Sequence, residues 1–559
     1  MKHFGIGLAA TFAALLALGA GHAMAATARP APGARTDQVL TYGMSQDQNR
    51  FSPLTQINRA TVRRLVPVWN YSLNDSNGQE GQPLLQDGVI YFTTAHATVA
   101  VDALSGRQLW KTPISFAADV GQSICCGQVN RGGAIFQGRL YRTTLDDRVQ
   151  ALDLKTGKIA WESKAADYKE GVAMTGAPLI ADGVVITGMA GGEFGVRGFL
   201  DGWDAATGKK LWRTYTIPAP GEPGSESWTK PGAWERGGGP TWVTGSYDPG
   251  LGLVYWGVGN GGPWNPTSRP GDNLYTDSVL ALRPKTGELV WHYQFTPNDG
   301  YDYDGVNELV QTELKVRGVT HKVIMQANRN GFFYVIDRAD GSLLAANPFV
   351  KVTWADRLDP KTGRPVLSAA SLKARAQSDG VELWPSLFGG KNWQPMSFSK
   401  STGLAYANTI NLGWIYKLEE EPEFRKRAVY LGIRFPAEMK HDGPEGYLKA
   451  IDPLTGKARW AHPWDLVSMS GVMTTAGGLV FTGSMTGEFL ALDDRTGKVL
   501  WKFQTGSGIV GQPIAWSRNG KQYITVPSGL GGVYPASMGS EKLASVPLGD
   551  SLWTFALLP

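Results

Sequence analysis

The sequence predicts an all-β fold, an eight-bladed β-propeller, and two observations support that prediction. A motif of the form A-x-D-x-x-T-G-x-x-x-W recurs along the chain. The 559 residues also include 71 Gly, 33 Pro and 20 Trp, a composition typical of strands joined by tight turns. Because a closed ring of sheets can absorb a long chain, we expect residues 26–559 to form a single domain.

Each copy of the motif predicts one β-hairpin, with a strand that ends at the Asp, a turn at T-G and a second strand that begins near the Trp. Six copies carry the Trp and lie at 100–110, 151–161, 202–212, 281–291, 450–460 and 491–501. In the fourth of these, Arg283 replaces the Asp. A degenerate copy at 335–344 ends in Leu344, and a partial first copy at 58–69 ends in Trp69, which brings the number to eight.

The regular Trp favours a propeller over a row of unrelated hairpins in a β-sandwich. A Trp at a fixed place in every unit can lie flat between neighbouring sheets while its ring N–H reaches a backbone acceptor. Radial stacking of such tryptophan-docking repeats closes a ring without long free edges. Unrelated hairpins would not explain the spacing.

Function is expected where the repeat is interrupted. The interrupting segments are 122–133, 188–198, 234–242, 260–265, 297–308 and 383–395. A further long insertion lies between Leu344 and Trp460.

The N-terminus predicts a cleaved secretory signal over residues 1–25. Lys2 and His3 precede an apolar stretch, and Ala23-Met24-Ala25 is an A-x-A cleavage site. A retained membrane anchor is the alternative, but the apolar run is short and ends in small residues. We therefore expect a periplasmic protein without a membrane anchor. The formal net charge of +5 is modest for this length, and no nucleic-acid-binding motif is present.

Cys125 and Cys126 are adjacent and are the only cysteines in the chain. An intramolecular disulfide would have to join these neighbours, and two buried thiols are the alternative. Export favours oxidation. Together with the repeat and the interrupting segments, this pair resembles the pyrroloquinoline quinone (PQQ)-dependent alcohol dehydrogenases, the methanol/ethanol dehydrogenase family, over nearly all of the mature chain.

The resemblance implies a PQQ site in which the disulfide stacks on one face of the quinone and Trp242, in G-G-G-P-T-W, packs on the other. The run C-C-G-Q-V-N-R matches the family's C-C-x-x-x-N-R and makes Arg131 the partner of a PQQ carboxylate. The remaining PQQ contacts implied by matching motifs are Glu80, Thr175, Gly191, Gly192, Arg329, Asn392 and Trp393. Taken singly, a Gly pair could be an ordinary turn and a Trp could be docking core.

The resemblance also implies a metal site with hard oxygen ligands. Glu193 in E-F-G-V-R-G, Asn260 in G-N-G-G-P-W-N, and Asp302 match the family's ligands. Asp304 lies two residues after Asp302, and in an extended segment both carboxylates would face one ion. An Asp at this position accompanies lanthanide use in the family, so a lanthanide is favoured over calcium. The alternative is a solvated acidic loop, which interleaved tyrosines make less favourable.

In the implied mechanism Asp302 is the general base that takes the alcohol proton, and Arg329 hydrogen-bonds the quinone oxygen. The product is an aldehyde or ketone. Because no C-x-x-C-H haem motif occurs, a separate soluble cytochrome c is the expected electron acceptor. A homodimer is compatible with the sequence.

The substrate class is expected to be a primary or secondary alcohol, since Trp264 matches a pocket-wall Trp of the family. Pro240 and Met469 replace a Thr and a Trp of methanol dehydrogenases, which argues against methanol and for a roomier pocket. Two other functions are considered: PQQ-dependent oxidation of a sugar, polyol or other hydroxyl compound, and a non-catalytic periplasmic propeller scaffold.

Overall fold

The computed structural model describes residues 1, 36–420, 423–436, 439–538 and 540–558. Apart from Met1, the expected signal peptide therefore lies outside the described residues. Eight four-stranded antiparallel sheets form the blades of a propeller, as the repeat predicts. No helix in the described part is long and apolar enough to cross a membrane.

Blades are numbered in chain order, and their strands are given from the innermost outward. Blade 1 consists of Leu84–Gln86, Val89–Thr93, Ala97–Asp102 and Gln108–Pro113, and blade 2 of Ala134–Phe136, Arg139–Thr143, Arg148–Asp153 and Ile159–Lys164. Blade 3 consists of Leu179–Ala181, Val184–Gly188, Phe199–Asp204 and Lys210–Tyr215, and blade 4 of Ser246–Asp248, Leu253–Val258, Ser278–Leu282 and Leu289–Gln294. Blade 5 consists of Val310–Val316, Val319–Ala327, Phe332–Asp337 and Leu343–Pro348, and blade 6 of Ser397–Ser399, Leu404–Ile410, Gly446–Ile451 and Ala458–Trp464. Blade 7 consists of Met473–Thr475, Leu479–Gly483, Glu488–Asp493 and Val499–Gln504, and blade 8 of Ile514–Arg518, Lys521–Ser528, Ser551–Leu557 and Leu65–Ser72.

The outer strand of blade 8 comes from the N-terminal part of the chain. Leu65–Ser72 pairs antiparallel with Ser551–Leu557, so the two ends of the chain close the ring. The partial motif expected at 58–69 therefore supplies half a hairpin, and its other half lies near the C-terminus. A pattern confined to neighbouring residues cannot show that pairing.

The repeated Trp docks each blade on the next. Indole N–H groups donate to backbone carbonyls of the following blade at 2.9–3.0 Å in six cases, namely Trp69, Trp110, Trp161, Trp212, Trp460 and Trp501. The turn glycine of the next blade lies against the ring. A Cβ on Gly157, whose φ is +69°, would lie 2.5 Å from the Trp110 ring, so only glycine fits there.

The N-terminal belt, residues 36–57, contacts all eight blades. Its hydrogen bonds join Val39 to Leu85, Leu40 to Ile135, Gln46 to Ile180 and Tyr247, Asp47 to Gln311, Asn49 to Phe398, Arg50 to Thr474, and Thr36 to Ser517. Phe51–Ser52 also adds a parallel strand to the inner edge of blade 7. The belt thus holds the inner strands of the whole ring together.

The long insertions lie before and within blade 6. They contain two-stranded sheets, Ala355–Leu358 with Pro365–Leu367 and Val381–Leu383 with Trp414–Tyr416, and the helix Ala369–Ala376. Short helices Val533–Met538 and Glu541–Ala544 precede the last strand. The described 3-10 turns are Val62–Arg64, Ala118–Ser123, Tyr168–Glu170, Gly192–Phe194, Ser225–Ser227, Ala233–Arg236 and Pro266–Ser268.

The segments that interrupt the repeat all lie on one face of the propeller. They join the outer strand of one blade to the next blade, or the second strand of a blade to its third, and these two kinds of connection emerge at the same end of the sheets. The expectation that they gather the functional residues can therefore be tested at this face.

Candidate active site

A cavity of about 390 Å³ opens on the face that carries the interrupting segments. Its lining includes the following residues singled out in the sequence: Glu80, Cys125, Cys126, Arg131, Thr175, Gly191, Glu193, Trp242, Trp264, Asp302, Asp304, Arg329, Asn392 and Trp393. Gly192 and Asn260 do not line it but pack against each other, since a Cβ on Gly192 would lie 3.0 Å from the side-chain amide of Asn260.

The vicinal disulfide is present. Cys125 and Cys126 are bonded to each other with their Cα atoms 3.8 Å apart, and no free cysteine remains in the chain. The pair follows the 3-10 turn Ala118–Ser123 and forms part of the cavity wall. The alternative of two buried thiols is therefore wrong.

Arg131 is the cationic centre of one end of the cavity. It forms an ion pair with Glu80 at 2.8 Å and donates to Thr175 Oγ1 at 2.7 Å. Its guanidinium lies between two rings, 4.7 Å from the centroid of Trp242 and 4.9 Å from that of Trp393. Its Nε is buried and has no hydrogen-bond partner in the described part of the chain. A bound carboxylate would supply the missing acceptor.

Arg329 joins the two aspartates of the 297–308 segment. Its two terminal nitrogens donate to Asp304 Oδ2 at 2.6 Å and Asp302 Oδ2 at 2.7 Å. Both carboxylates thus face the same guanidinium. The segment is not the extended strand on which the two-residue spacing argument relied, and Asp302 has a φ of +64°, so a shared metal ion stays a prediction. Asp302 Oδ1 is buried and lacks a hydrogen-bond partner among the described residues.

Asp304 is tied to its surroundings through both oxygens. The backbone N–H of Asn260 donates to its Oδ1 at 2.6 Å, and the indole N–H of Trp242 donates to its Oδ2 at 3.2 Å. The Asn260 amide is satisfied when its nitrogen donates to Asp304 Oδ1 and its oxygen accepts from the Trp264 indole. This network links the expected metal ligands to the expected stacking Trp and to the pocket wall.

Burial and mutual repulsion disfavour ionisation of these acids. Burial, reinforced by Asp304, raises the pKa of Glu193 to about 7. Burial also raises the pKa of Asp302 well above its usual range, against the opposing effect of Arg329, and raises the pKa of Asp304. Three acids therefore share a single guanidinium, and additional positive charge would stabilise them.

The acid group fits a metal ion in donor type but is not assembled around one point. Among the described residues, no three acidic, His or Cys side chains converge as a metal site. Asp302 and Asp304 instead each accept a hydrogen bond from Arg329. The donors are nevertheless hard oxygens with an unpartnered carboxylate atom, which suits calcium or a lanthanide rather than zinc.

Asn392 and Trp393 line the same cavity, but Asn392 is largely engaged within its own loop. Its amide nitrogen donates to the Phe388 carbonyl at 3.1 Å, and its Oδ1 accepts from the Trp393 N–H at 2.9 Å. Pro240 packs against Gly192, and Met469 belongs to the buried core. Neither lies in the described lining of the cavity, so these two replacements do not account for pocket size through direct contact.

The sequence did not reveal the apolar half of the cavity. Its additional large apolar lining residues are Ile124, Val129, Phe194, Leu387, Phe388, Val429, Leu431, Phe435 and Val533. Several come from the blade 6 insertion, which has no repeat frame. The sequence feature that came nearest to indicating this apolar region was the length of the insertion between Leu344 and Trp460.

A β-propeller whose cavity combines a vicinal disulfide, two buried arginines and clustered carboxylates defines the class of PQQ quinoproteins. The model of the PQQ glucose/ethanol/alcohol dehydrogenase β-propeller domain matches residues 40–353 and 438–524. The chain belongs to the PQQ-dependent alcohol dehydrogenase family.

Individual relatives agree with that membership. Quinoprotein alcohol dehydrogenase PedH of Pseudomonas putida is 40% identical over 551 residues, which cover 93% of this chain and 91% of the relative. A quinoprotein ethanol dehydrogenase of Pseudomonas putida is 42% identical over 569 residues, again 93% and 91%. A europium-containing methanol dehydrogenase superposes with a TM-score of 0.88 at 34% identity, over 94% of this chain and 98% of the other. The expected fold and enzyme class are confirmed, and the scaffold alternative is not supported.

Proposed function

We propose that the protein oxidises alcohols to aldehydes or ketones with bound PQQ as the hydride acceptor. The observation that carries the proposal is the placement of buried Asp302 and Arg329 in one cavity with the disulfide, Trp242 and Arg131. The relatives named as alcohol and ethanol dehydrogenases support the same substrate class.

The cavity residues fit PQQ, an anionic planar quinone. Arg131 and Arg329 each have a buried Nε without a hydrogen-bond partner in the described structure, and carboxylate or carbonyl oxygens would satisfy such donors. The disulfide and Trp242 would hold the planar faces, with Glu80, Thr175, Gly191, Gly192, Asn392 and Trp393 around the edge. PQQ supplies the two-electron redox chemistry when bound, and the protein supplies orientation and charge.

Asp302 is the proposed general base. Its unpartnered Oδ1 is available to accept the hydroxyl proton of the substrate, while its Oδ2 is held by Arg329. Arg329 fixes the carboxylate, and its positive charge would stabilise negative charge that develops on a bound quinone. Trp264 forms the adjacent wall of the substrate site.

Glu193, Asn260, Asp302 and Asp304 are the proposed metal ligands, and we favour a lanthanide over calcium. The carboxylates of Glu193, Asp302 and Asp304 offset a trivalent charge better than a divalent one. One similar structure is that of a europium-containing methanol dehydrogenase; the europium is a property of that protein and is consistent with this choice.

Export and the electron acceptor complete the proposal. We infer that cleavage after Ala25 releases a periplasmic enzyme and that a soluble cytochrome c takes the electrons. The disulfide supports an oxidising compartment, and the two cysteines it uses are the only ones in the chain, which leaves none for a covalent haem.

The test is dye-linked oxidation of an alcohol panel by the purified protein with PQQ, with calcium and lanthanum in separate assays. We expect turnover of primary alcohols with lanthanum and little or none with calcium. Equal activity with calcium would remove the metal preference and keep the enzyme. Turnover of only sugars or polyols would replace the substrate class, and failure to bind PQQ would overturn the proposal.

A further inference from the structure

The stretch that carries the vicinal disulfide, residues 118–127, is called the disulfide turn below. It lies between blades 1 and 2 and places Cys125 and Cys126 in the cavity wall. After the pair, the chain is anchored inside the propeller, where the buried Asn130 amide donates to the Thr143 carbonyl at 3.1 Å. Neither cysteine forms a backbone hydrogen bond with another described residue. The position of the disulfide therefore depends on how the residues before it are held.

Arg427, from the blade 6 insertion, holds the disulfide turn ahead of the cysteine pair. Its Nη1 donates to Asp119 Oδ2 at 2.9 Å, its Nε donates to Ser123 Oγ at 3.0 Å, and its Nη2 donates to the Asp119 carbonyl. The Tyr168 hydroxyl donates to Asp119 Oδ1 at 2.9 Å, and the guanidinium lies 5.6 Å from the Tyr168 ring centroid. Arg427 thus contacts both ends of the 3-10 turn that leads into the disulfide.

Two features indicate that the Arg427 side chain is needed at this position. The hydrogen bonds from Arg427 and Tyr168 lower the pKa of Asp119, so the contact joins a permanent cation to an ionised carboxylate. Arg427 also has a φ of +61°, a backbone conformation that favours glycine. The contacts of its side chain offset this unfavourable conformation.

The segment that bears Arg427, residues 423–436, is held by contacts of its own to blade 3 and the connections beside it. These contacts join three pairs of residues: Phe424 and Arg236, Tyr430 and Glu193, and Lys426 and Glu170. The first is a cation–π contact at 4.1 Å, the second is a hydrogen bond from a backbone N–H to a carbonyl at 2.7 Å, and the third is an ion pair between exposed side chains. Loss of the Arg427 side chain should therefore leave this segment in place and free the disulfide turn.

We propose that Arg427 is a positioning residue for the vicinal disulfide. Through Asp119 and Ser123 it holds the disulfide turn in place, and the disulfide so held covers one face of bound PQQ and slows its release. Arg427 does not itself line the cavity, so it acts through the turn. This inference rests on the proposed function, which requires PQQ, and adds to it the residue that retains the cofactor.

The first test measures hydrogen exchange of the backbone amides in the disulfide turn. The amides of Val120 and Ile124 donate to carbonyls within or next to the turn, at 3.1 and 3.4 Å. Arg427→Gln should exchange in this peptide about tenfold faster, because the turn opens more often without a charged donor. Arg427→Lys should recover part of the protection, since lysine keeps the charge but not the fork of donors.

The second test measures release of PQQ from the loaded enzyme. The diluted holoenzyme is desalted at timed intervals, and the PQQ that stays with the protein is measured by absorbance. Arg427→Gln should release PQQ about tenfold faster than wild type. The thermal unfolding midpoint without PQQ should not change, because a partly exposed ion pair contributes little to global stability. A residue with only a structural role would lower that midpoint instead.

The matched control is Arg425→Gln in the same segment. Arg425 pairs with Glu423, and the two side chains are 75% and 79% exposed. Arg425→Gln should exchange and release PQQ at the wild-type rates. Asp119→Asn should release PQQ faster, and the double variant with Arg427→Gln should be no faster than Arg427→Gln alone, because both changes remove one contact.

The outcomes separate this inference from the proposed function. If the wild-type protein binds no PQQ, both fail. If wild type binds PQQ and Arg427→Gln shows the wild-type rate in either assay, only the role of Arg427 fails.

Discussion

At the scale of single residues, the candidate site concentrates conformations and charges that are unfavourable elsewhere. Asp302 has a φ of +64°, a burial that raises its pKa and a carboxylate oxygen without a partner in the described structure. Such features persist only where the surroundings hold them, and they cluster at functional sites. Family motifs identified these residues correctly as neighbours. The sequence did not reveal that Arg329 would hold both aspartates, because that contact depends on side-chain geometry.

Substitution of the two aspartates should separate catalysis from metal choice. Asp302→Asn should reduce kcat at least about a hundredfold with either metal, because the general base is lost. Asp304→Ala should reduce lanthanum-supported activity more than calcium-supported activity, since one negative charge is removed. Metal content and steady-state kinetics of both variants measure this. Equal losses with both metals in Asp304→Ala would contradict the lanthanide assignment.

Asp147, outside the site, has an unfavourable backbone conformation and an unfavourable side-chain environment. It is fully buried in a turn of blade 2 with a φ of +64°, and neither carboxylate oxygen has a hydrogen-bond partner within the described chain. Gly487, with a φ of +94°, occupies the corresponding turn of blade 7. Asp147→Gly should therefore stabilise the protein by about 1–2 kcal/mol, measured by chemical denaturation at neutral pH.

The gain from Asp147→Gly should depend on pH. Burial raises the pKa of Asp147 well above its usual range, so the folded state binds a proton more tightly than the unfolded state. The unfolding free energy lost because of Asp147 is largest above its raised pKa and shrinks as the pH falls through that pKa. The stabilisation by Asp147→Gly should therefore be smaller at acid pH. Asp146→Gly is the control, because Asp146 accepts hydrogen bonds from Thr144 and Arg148 and its loss should not stabilise.

At the scale of elements, the repeat predicted the hairpins accurately because it combines three local requirements. The Asp begins the turn, the glycine makes room for the ring, and the Trp lies opposite a small residue, as in the pairing of Trp110 with Ala100. The degenerate copy in blade 5 keeps a docking contact of another kind, since the Asn347 amide donates to the Leu454 carbonyl at 2.9 Å. Residues 423–436 of the blade 6 insertion could not be predicted in this way, because they contact a distant blade, as in the hydrogen bond from the Tyr430 N–H to the Glu193 carbonyl, and follow no period.

The docking hydrogen bond can be measured with a matched pair of tryptophans. The Trp212 N–H donates to the Pro284 carbonyl at 3.0 Å. In contrast, Trp291 Nε1 has no partner in the described structure, and the carbonyl of Arg338 in the next blade accepts from the Tyr255 hydroxyl instead. Trp212→Phe should therefore cost about 1 kcal/mol more in unfolding free energy than Trp291→Phe. Equal losses of unfolding free energy in the two variants would mean that packing, and not the hydrogen bond, accounts for the stabilisation by the Trp.

At the scale of the whole molecule, the N-terminal belt links the eight repeated blades into one closed ring. Arg50 of the belt is buried and donates to the Gln48 carbonyl, to Gln48 Oε1 and to Gln512 Oε1. The repeat predicted the ring, but the belt carries no motif. The belt forms hydrogen bonds with backbone atoms of all eight blades. Because backbone atoms are the same for every residue type, these contacts produce no recognisable sequence pattern.

Loss of the belt's central contacts should weaken the entire ring. Arg50→Met should lower the unfolding free energy by about 2–4 kcal/mol, because buried acceptors lose a charged donor. The thermal transition followed by tryptophan fluorescence should move to lower temperature without splitting. Arg63→Met, at an exposed position beyond the belt, is the control and should leave the transition unchanged. A separate early transition in Arg50→Met would show that the blades unfold independently.

The closure of blade 8 also orders events in time. Leu65–Ser72 is made long before its partner strand, Ser551–Leu557, which lies on the far side of all the other blades in the sequence. A ribosome that stops short of Leu557 therefore releases a chain with an unpaired strand at its beginning and an open edge at its end. Such a fragment exposes unpaired strand edges, which promote aggregation. A circular permutant opened between two other blades would make the four strands of blade 8 continuous in sequence and would remove this dependence on a distant partner strand.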